Sequence, residues 1–578
     1  MQRYETERER NKDFLLKDGD YVSTKDVLNR IAKIIPDKKI MAELDAEHNI
    51  IYHTSADVKN DVDAIGEGLI SIGLEGKHIA IAADNSYLYI MCDLAIAGGV
   101  GVVTPIDKDA PADLMATLLN KCDADAIIIS AHLADKVKAV QANCPKLKTI
   151  ITIDQKVDGL ESLQDLMTKG RALAEKGYYR NKDLDLDAPA KLLFTSGTTG
   201  ANKGVILTQN NLAANIMNCM EMKAEDDEFN TSMSVLPMHH ATEINTHVFV
   251  RIACGRLTYI NDNMKNMMTN MRIFKPHVIT IVPMIANAFY KTIWMNVRKM
   301  GMEMQLKQAI AMSNNLRQNG IDKTHEIFKD VLAPFGGNLR QIVCGGAMLN
   351  PEVVRGFNDF GVFVVNGYGI TECGPLISMN TETMTEPYSV GRPNAVLEVK
   401  LIDQNADGIG ELCVRGKSVS KGYYKDPEAT AKVFDKDGFF HTGDMARIDE
   451  QGRIFLSGRQ KNLIVLANGK NVYPEELEHE ISIRLPYVKE NVVYMAEFEN
   501  ACGKLQEGIC AGVVVEEEML SNLEKIKEDF RALNRELPNH KKIAYILIQT
   551  QEYEKTSSKK IKRTTIMDRH NTKTGLMI

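Results

Sequence analysis

The sequence predicts an α/β protein. A large N-terminal domain of parallel β/α layers carries a small β-barrel-like layer and is followed by a small, mobile α+β C-terminal domain. Three observations predict this. Strand-like apolar runs alternate with helical patterns through most of the chain, which is the rhythm of parallel β/α layers. From about Val390 the rhythm gives way to short alternating strands and tight turns. Beyond a charged connection at Gln460-Lys461-Asn462, a strand–helix–strand set closes the chain.

The elements run in order. Asp61 to Ile72 has the spacing of an amphipathic helix, and His78 to Ala82 reads as a strand. Leu88 to Ala97 is helical and Val100 to Val103 extended; Asp113 to Lys121 is helical and Ala126 to Ile129 a strand. Lys191 to Phe194 and Val205 to Leu207 are strand-like, and a helix with Leu212, Ile216 and Met220 on one face follows. His277 to Val282, closed by Pro283 and a helix, Gln341 to Cys344 and Val362 to Val365 are further buried strands. The last two run into Gly345-Gly346-Ala347 and Asn366-Gly367-Tyr368-Gly369. In open α/β sheets ligands sit beyond the carboxyl ends of strands, so these glycine-rich ends point to one site. Leu397 to Leu401 and Glu411 to Val414, with the turn Asp435 to Gly438, form the barrel-like layer. Gly508 to Val515, a charged helix from Met519 to Leu533, and Ala544 to Ile548 make the small domain. The expected division is 1–458, a hinge at 459–462, and 463–578.

A chain of 578 residues is several times the usual domain length, so at least two domains are expected. With 44% hydrophobic and 25% charged residues it reads as globular, and a net charge of −7 gives no global pull toward nucleic acid or anionic membrane. The 10 cysteines include no Cys-x-x-Cys pair, which argues against a disulfide framework or zinc ribbon. The charged N-terminus lacks the apolar core of a signal peptide. The apolar region Leu88 to Thr104 is interrupted by Asp93 and three glycines and falls short of a spanning helix. The expected location is cytoplasmic, with peripheral membrane contact left open.

The stretch Leu193 to Val205 holds three glycines, four hydroxyl side chains and a lysine, and no acid. Glycine lets successive N–H groups face one side, and the hydroxyls and Lys203 add donors, which is what a polyphosphate needs. It is not a Walker A loop, because two residues separate Gly200 from Lys203 and no Ser or Thr follows the lysine. A plain surface turn is the alternative. In Tyr368-Gly369-Ile370-Thr371-Glu372 an aromatic face suits a purine and a carboxylate suits Mg²⁺. Asp444, in Phe439-Phe440-His441-Thr442-Gly443-Asp444, could accept both hydroxyls of a diol or form a local Asx turn. In Leu236-Pro237-Met238-His239-His240-Ala241-Thr242-Glu243 adjacent imidazoles are expected to point apart, so a shared metal is not expected. The basic run Lys555 to Arg563 is by itself a solvated tail or an anion-attracting patch.

Together these stretches resemble the motifs of the adenylate-forming superfamily, which comprises acyl-CoA synthetases, firefly-type luciferases and peptide-synthetase adenylation domains. The likeness is strongest to its long-chain fatty acid–CoA ligases. About eight motifs stand in family order over nearly the whole chain. The resemblance implies an ATP site in which Thr195, Ser196, Gly197, Thr198, Thr199, Gly200 and Lys203 cradle the phosphates. It gives the Gly346-Ala347 backbone one face of adenine, Tyr368 the stacking position and Gly369 the close approach of the base. Thr371 would bond the α-phosphate, Glu372 would hold Mg²⁺, Asp444 the ribose hydroxyls, and Arg459 ribose or phosphate. His240 would line the acyl pocket, Lys461 would be the pivot, Gly469 would border the CoA tunnel, and Lys560 would be the catalytic lysine. Two positions depart from the pattern: Asn202 replaces a proline and Lys559 a glycine. No Asp lies between Pro237 and Glu243, which disfavours an amino acid substrate.

The implied activity consumes ATP with Mg²⁺ to join a carboxylic acid, fatty or otherwise hydrophobic, to CoA through an acyl-AMP. The partners are these small molecules and no nucleic acid. Transfer to a separate acyl carrier protein, or an inactive nucleotide- or acyl-binding relative, are the alternatives.

Overall fold

Runs such as Ala126–Ile129 leave no face for water, so they must sit inside a layered sheet. The computed structural model describes residues 22–174, 177–196, 202–222, 231–381, 386–394, 396–466, 470–500, 502–555, 561–573 and 575–578. The chain forms two compact units, one of 1–399 with 414–440 and one of 400–413 with 441–578.

The first unit holds two sheets. In a seven-stranded sheet the order is Glu161–Ser162, Thr149–Thr152, Ala126–Ile129, His78–Ala82, Val102–Pro105, Pro189–Ser196, Asn202–Thr208. All neighbours are parallel except the last pair, which is an antiparallel hairpin. In a nine-stranded sheet Phe363–Gly369, Gln341–Gly345, Val278–Ile281 and Thr231–Ser234 lie side by side in parallel. The predicted β/α rhythm is therefore present, with most boundaries moved by one to a few residues.

The larger shifts have local causes. The helix expected from Asp61 starts at Ser55, because Thr54 and Asp57 form a reciprocal capping box. The helix expected from Met519 starts at Leu523: a 3₁₀ turn, Glu517–Ser521, comes first, and the Asn522 side chain accepts the Lys525 N–H. The apolar stretch from Leu88 is a helix, Tyr87–Ala95, that ends in a π turn, Ile96–Val100, where Gly99 has φ +143°. Asp93, which interrupts it, makes a fully buried ion pair with Lys191 at 2.6 Å, and Lys191 also reaches Asn245 at 3.1 Å. Such a pair survives without water only because its partners are fixed. Among the described residues no helix is long and apolar enough to cross a membrane.

The second unit holds one four-stranded sheet and most of the residues of another. The latter has the order Leu397–Ile402, Gly410–Gly416, Phe440–Ile448, Ile454–Arg459, the last pair antiparallel. The former has the order Val488–Glu499, Leu505–Val515, Tyr545–Gln549, Leu576–Met577, with Leu505–Val515 and Tyr545–Gln549 parallel. Helices Pro474–Arg484 and Leu523–Glu536 bury Leu477, Ile481, Ile526 and Phe530 in this unit's core.

Candidate active site

The nine-stranded sheet brings several predicted residues to one edge. Strands Gln341–Gly345 and Phe363–Gly369 pair with Gly345 opposite Gly367, so Gly346-Ala347 and Tyr368-Gly369 leave adjacent strand ends. Gly346 has φ +88°, a conformation a side chain resists. A Cβ on Gly369 would lie 2.1 Å from the Pro375 carbonyl oxygen, so only glycine fits there. Tyr368 is buried. Thr371 and Glu372 follow in a 3₁₀ turn, Thr371–Cys373.

Two strands along, Thr231–Ser234 ends just before the His239-His240 segment. Asn85 holds this segment from both sides, donating to the Leu236 carbonyl at 2.9 Å and accepting the Met238 N–H at 3.1 Å. The expectation that the two imidazoles point apart is wrong: their ring centroids are 4.2 Å apart. The turn in which the Pro237 carbonyl accepts the His240 N–H folds the backbone back and brings the rings together. Burial lowers the His239 pKa to about 4, so that ring is neutral at ordinary pH. Glu243 lies in the core, where it pairs with His247 at 2.9 Å, and His247 meets Ser232 at 3.0 Å. The Ser–His–Glu geometry is that of a nucleophile with its base, but all three are sealed from solvent and serve packing.

In the seven-stranded sheet the predicted phosphate loop joins the strands of the hairpin Pro189–Ser196 and Asn202–Thr208. Thr195 pairs with Lys203 and Ser196 with Asn202. Gly197, Thr198, Thr199 and Gly200 lie outside the described residues. The Asn202 carbonyl accepts from Lys121 at 3.0 Å.

The sequence reading missed Tyr423. Its hydroxyl donates to Glu372 Oε1 at 3.0 Å, and the Lys203 ammonium lies 4.6 Å from its ring centroid. One buried aromatic side chain thus touches both the lysine and the carboxylate that the motifs single out. Backbone pairing fixes it. Tyr424 N–H donates to the Gly204 carbonyl at 2.8 Å, Ile206 N–H to that of Gly422 at 3.0 Å, and Ser420 N–H to that of Glu372 at 2.7 Å. Burial and the neighbouring Glu372 raise the Tyr423 pKa, so the phenol stays protonated and remains a donor. The only hint in the sequence was Gly422, whose φ of +106° turns the chain just before the tyrosine.

In the second unit Asp444 and Arg459 are cross-strand partners, and Arg459 Nε lies 2.7 Å from Asp444 Oδ1. Glu411 braces the turn before Asp444: Oε1 accepts the Gly443 N–H at 3.0 Å and Oε2 meets His441 Nδ1 at 3.0 Å. Cys413 completes a group with ligand atoms within 4.8 Å, but both Glu411 oxygens are already engaged, so the group is a brace. Lys461 sits in a 3₁₀ turn, Gln460–Asn462, where burial and then Arg459 and Arg563 lower its pKa. Gly469 and Lys560 lie outside the described residues. The ends of the lysine segment are described: Lys555 and Ile561 form an antiparallel bridge. Arg563 Nη2 donates to both carboxylate oxygens of Glu478, at 2.5 and 2.7 Å, and Nη1 donates to the Val493 carbonyl at 2.9 Å.

The pattern of the AMP-binding enzyme family matches residues 31–424, more than half of the chain. This chain belongs to the AMP-binding enzyme family. The pattern of the AMP-binding enzyme C-terminal domain matches residues 461–573. Among its relatives, the peroxisomal long chain acyl-CoA synthetase 6 of Arabidopsis thaliana is 29% identical over 470 residues, covering 76% of this chain and 66% of the relative. The long-chain-fatty-acid–CoA ligase FadD15 of Mycobacterium bovis is 28% identical over 467 residues, covering 76% of this chain and 74% of the relative. The crystal structure of the anthranilate CoA ligase AuaEII with anthranoyl-AMP superposes with a TM-score of 0.76 at 17% identity, over 95% of this chain and 97% of that one. This AMP-binding enzyme is therefore α/β throughout, with its glycine-rich strand ends on the sheet edge where such folds bind ligands.

Proposed function

We propose that this AMP-binding enzyme is an AMP-forming acyl-CoA synthetase for a fatty or other hydrophobic carboxylic acid. The observation that carries the reading is the Lys203–Tyr423–Glu372 cluster, which holds a cation and a carboxylate ready beside the predicted phosphate loop. The fatty acids in the relatives' names and the absence of Asp between Pro237 and Glu243 support the substrate class.

In the first step a carboxylate oxygen of the acid attacks the α-phosphorus of ATP, and the bond to the bridging oxygen of pyrophosphate breaks. Charge develops on phosphoryl oxygens, so fixed positive groups and positioning do most of the work. Thr195, Ser196, Gly197, Thr198, Thr199, Gly200 and Lys203 hold the β- and γ-phosphates, and Thr371 the α-phosphate. Gly346, Ala347, Tyr368 and Gly369 hold adenine. Asp444 holds the ribose hydroxyls, Arg459 contacts ribose or phosphate, and His240 borders the acyl chain. Glu372 suits Mg²⁺: it is a hard oxygen donor whose carboxylate is oriented by a neutral phenol, which leaves its charge intact. Bound there, Mg²⁺ would neutralise phosphate charge. Lys560 supplies a further point charge for this step.

In the second step the CoA thiol attacks the acyl carbonyl and AMP leaves, taking the electron pair of the broken carbon–oxygen bond. Residues 459–462 act as the hinge between 1–458 and 463–578, Lys461 as the pivot, and Gly469 borders the path of the thiol arm.

The test is product analysis with ATP, Mg²⁺, CoA and a series of fatty acids. The reading expects acyl-CoA and AMP in equal amounts, rising with chain length and then falling. AMP formed only when an acyl carrier protein replaces CoA would favour the carrier-loading alternative. No AMP with any acid would favour a binding protein.

A further inference from the structure

Lys203 is held through both of its chain neighbours, and both holds lead back to the end of one helix. Helix Ala112–Lys121 finishes with Lys121, and Cys122 and Asp123 follow before the strand Ala126–Ile129. The Lys121 ammonium donates to the Asn202 carbonyl at 3.0 Å. The Gly204 carbonyl accepts the Tyr424 N–H at 2.8 Å, and the Tyr424 hydroxyl donates to Asp123 Oδ2 at 2.9 Å. Lys203 therefore stands between two carbonyls, one gripped directly by Lys121 and the other tied through Tyr424 to Asp123.

An exposed ion pair by itself contributes little. Asp123 differs in two respects. Its side chain is only 14% exposed, and it takes three donors: Tyr424, Lys146 at 2.8 Å, and Lys425. The backbone is unusual on both sides of the pair, with φ +53° at Asp123 and +55° at Lys425. Aspartate enters this left-handed region more readily than lysine, and a lysine stays there only where its surroundings fix it. The Tyr424 ring is anchored as well, tilted against His78 with centroids 5.5 Å apart.

We propose that Lys121, Asp123 and Tyr424 form a clasp that positions the strand carrying Lys203 for the triphosphate of ATP. The inference rests on the ATP-consuming reaction proposed above and adds three positioning residues to it. They act through the Asn202 and Gly204 backbone, and the strand so fixed presents the Lys203 ammonium beside the Tyr423 ring, already ordered before phosphate arrives. Proline, which the superfamily's motif has at position 202, stiffens a chain by its ring. Asn202 lacks the ring, and the grip of Lys121 on its carbonyl takes over that task. AMP has no β- or γ-phosphate, so loosening the clasp weakens ATP and spares AMP.

Calorimetric titration of the full chain with α,β-methylene-ATP and with AMP, each with Mg²⁺, separates this from a general loss of structure. Asp123→Gly keeps the left-handed backbone and removes the carboxylate. It should weaken binding of the ATP analogue at least about fivefold and leave that of AMP within about twofold. Tyr424→Phe and Lys121→Ala should each weaken the analogue about threefold with AMP unchanged, and Lys121→Arg, which keeps a donor, should restore wild-type affinity. Lys148→Ala, at an exposed lysine outside the clasp, should change neither nucleotide. Wild type that binds neither nucleotide would remove the ATP site and the clasp with it. Wild type that binds both, while Asp123→Gly and Tyr424→Phe lose the two equally or lose neither, would overturn the clasp and leave the ATP site standing.

Discussion

The Lys203–Tyr423–Glu372 corner of the first unit and the Arg563–Glu478 corner of the second place charge in different ways. In the first, the residues themselves proposed to meet phosphate and metal are held, by backbone pairing on both sides of one buried tyrosine. In the second, an ion pair holds the base of a segment, and the proposed reacting lysine lies three residues away from it. The first arrangement suits a charge needed throughout turnover. The second suits a charge that one step needs and the next does not.

The largest expected effect separates the two corners by reaction step. Lys560→Ala should slow acyl-AMP formation by ~10²–10³-fold, the scale for losing one preorganised charge-stabilising group. It should leave transfer from supplied acyl-AMP to CoA near wild type. Loss of both steps, or of neither, breaks the distinction.

Arg563→Ala should act on stability. Removing a charged hydrogen-bonding partner from Glu478, whose carboxyl pKa burial already pushes up, should cost about 2 kcal/mol in urea unfolding of the second unit. The first unit should unfold as before, and an equal loss in both would contradict the separation.

Tyr423→Phe keeps the ring under Lys203 and removes the donor to Glu372. Acyl-AMP formation should fall about tenfold, with a raised Mg²⁺ requirement. Tyr423→Leu should fall further, because the lysine also loses its aromatic face. Equal rates in Phe and Leu variants would show that the ring adds nothing.

The smallest effect belongs to His239. Its pKa is about 4 when folded against 6.5 when unfolded. Above pH ~6.5 both states are neutral; below it the unfolded chain takes the proton first, so stability falls as pH drops toward ~4. His239→Gln should flatten this slope by about 1 kcal/mol at pH ~5.5 in chemical denaturation. An unchanged slope would place the titration elsewhere.

Much of the first unit was legible because its strands are continuous apolar runs with glycine at their ends. Gly345-Gly346 and Gly367-Tyr368-Gly369 were read as one site, and the register Gly345–Gly367 places them side by side. Tyr423 was not legible, because its importance comes from pairing with Gly204–Ile206, more than 200 residues earlier, and nothing local in Ser420 to Tyr424 encodes that partner. Glu411 escaped for the same reason: its carboxylate acts on a turn 30 residues on. Asp93 read only as an interruption of an apolar run, since its partner Lys191 lies 98 residues away.

The central claim is that this AMP-binding enzyme forms an acyl-adenylate from a hydrophobic acid. Exchange of labelled pyrophosphate into ATP, without CoA, measures that step alone. The account predicts exchange that requires Mg²⁺ and a fatty acid, is absent with amino acids, and is nearly lost in Glu372→Gln. Exchange independent of any acid, or undiminished in Glu372→Gln, would contradict it.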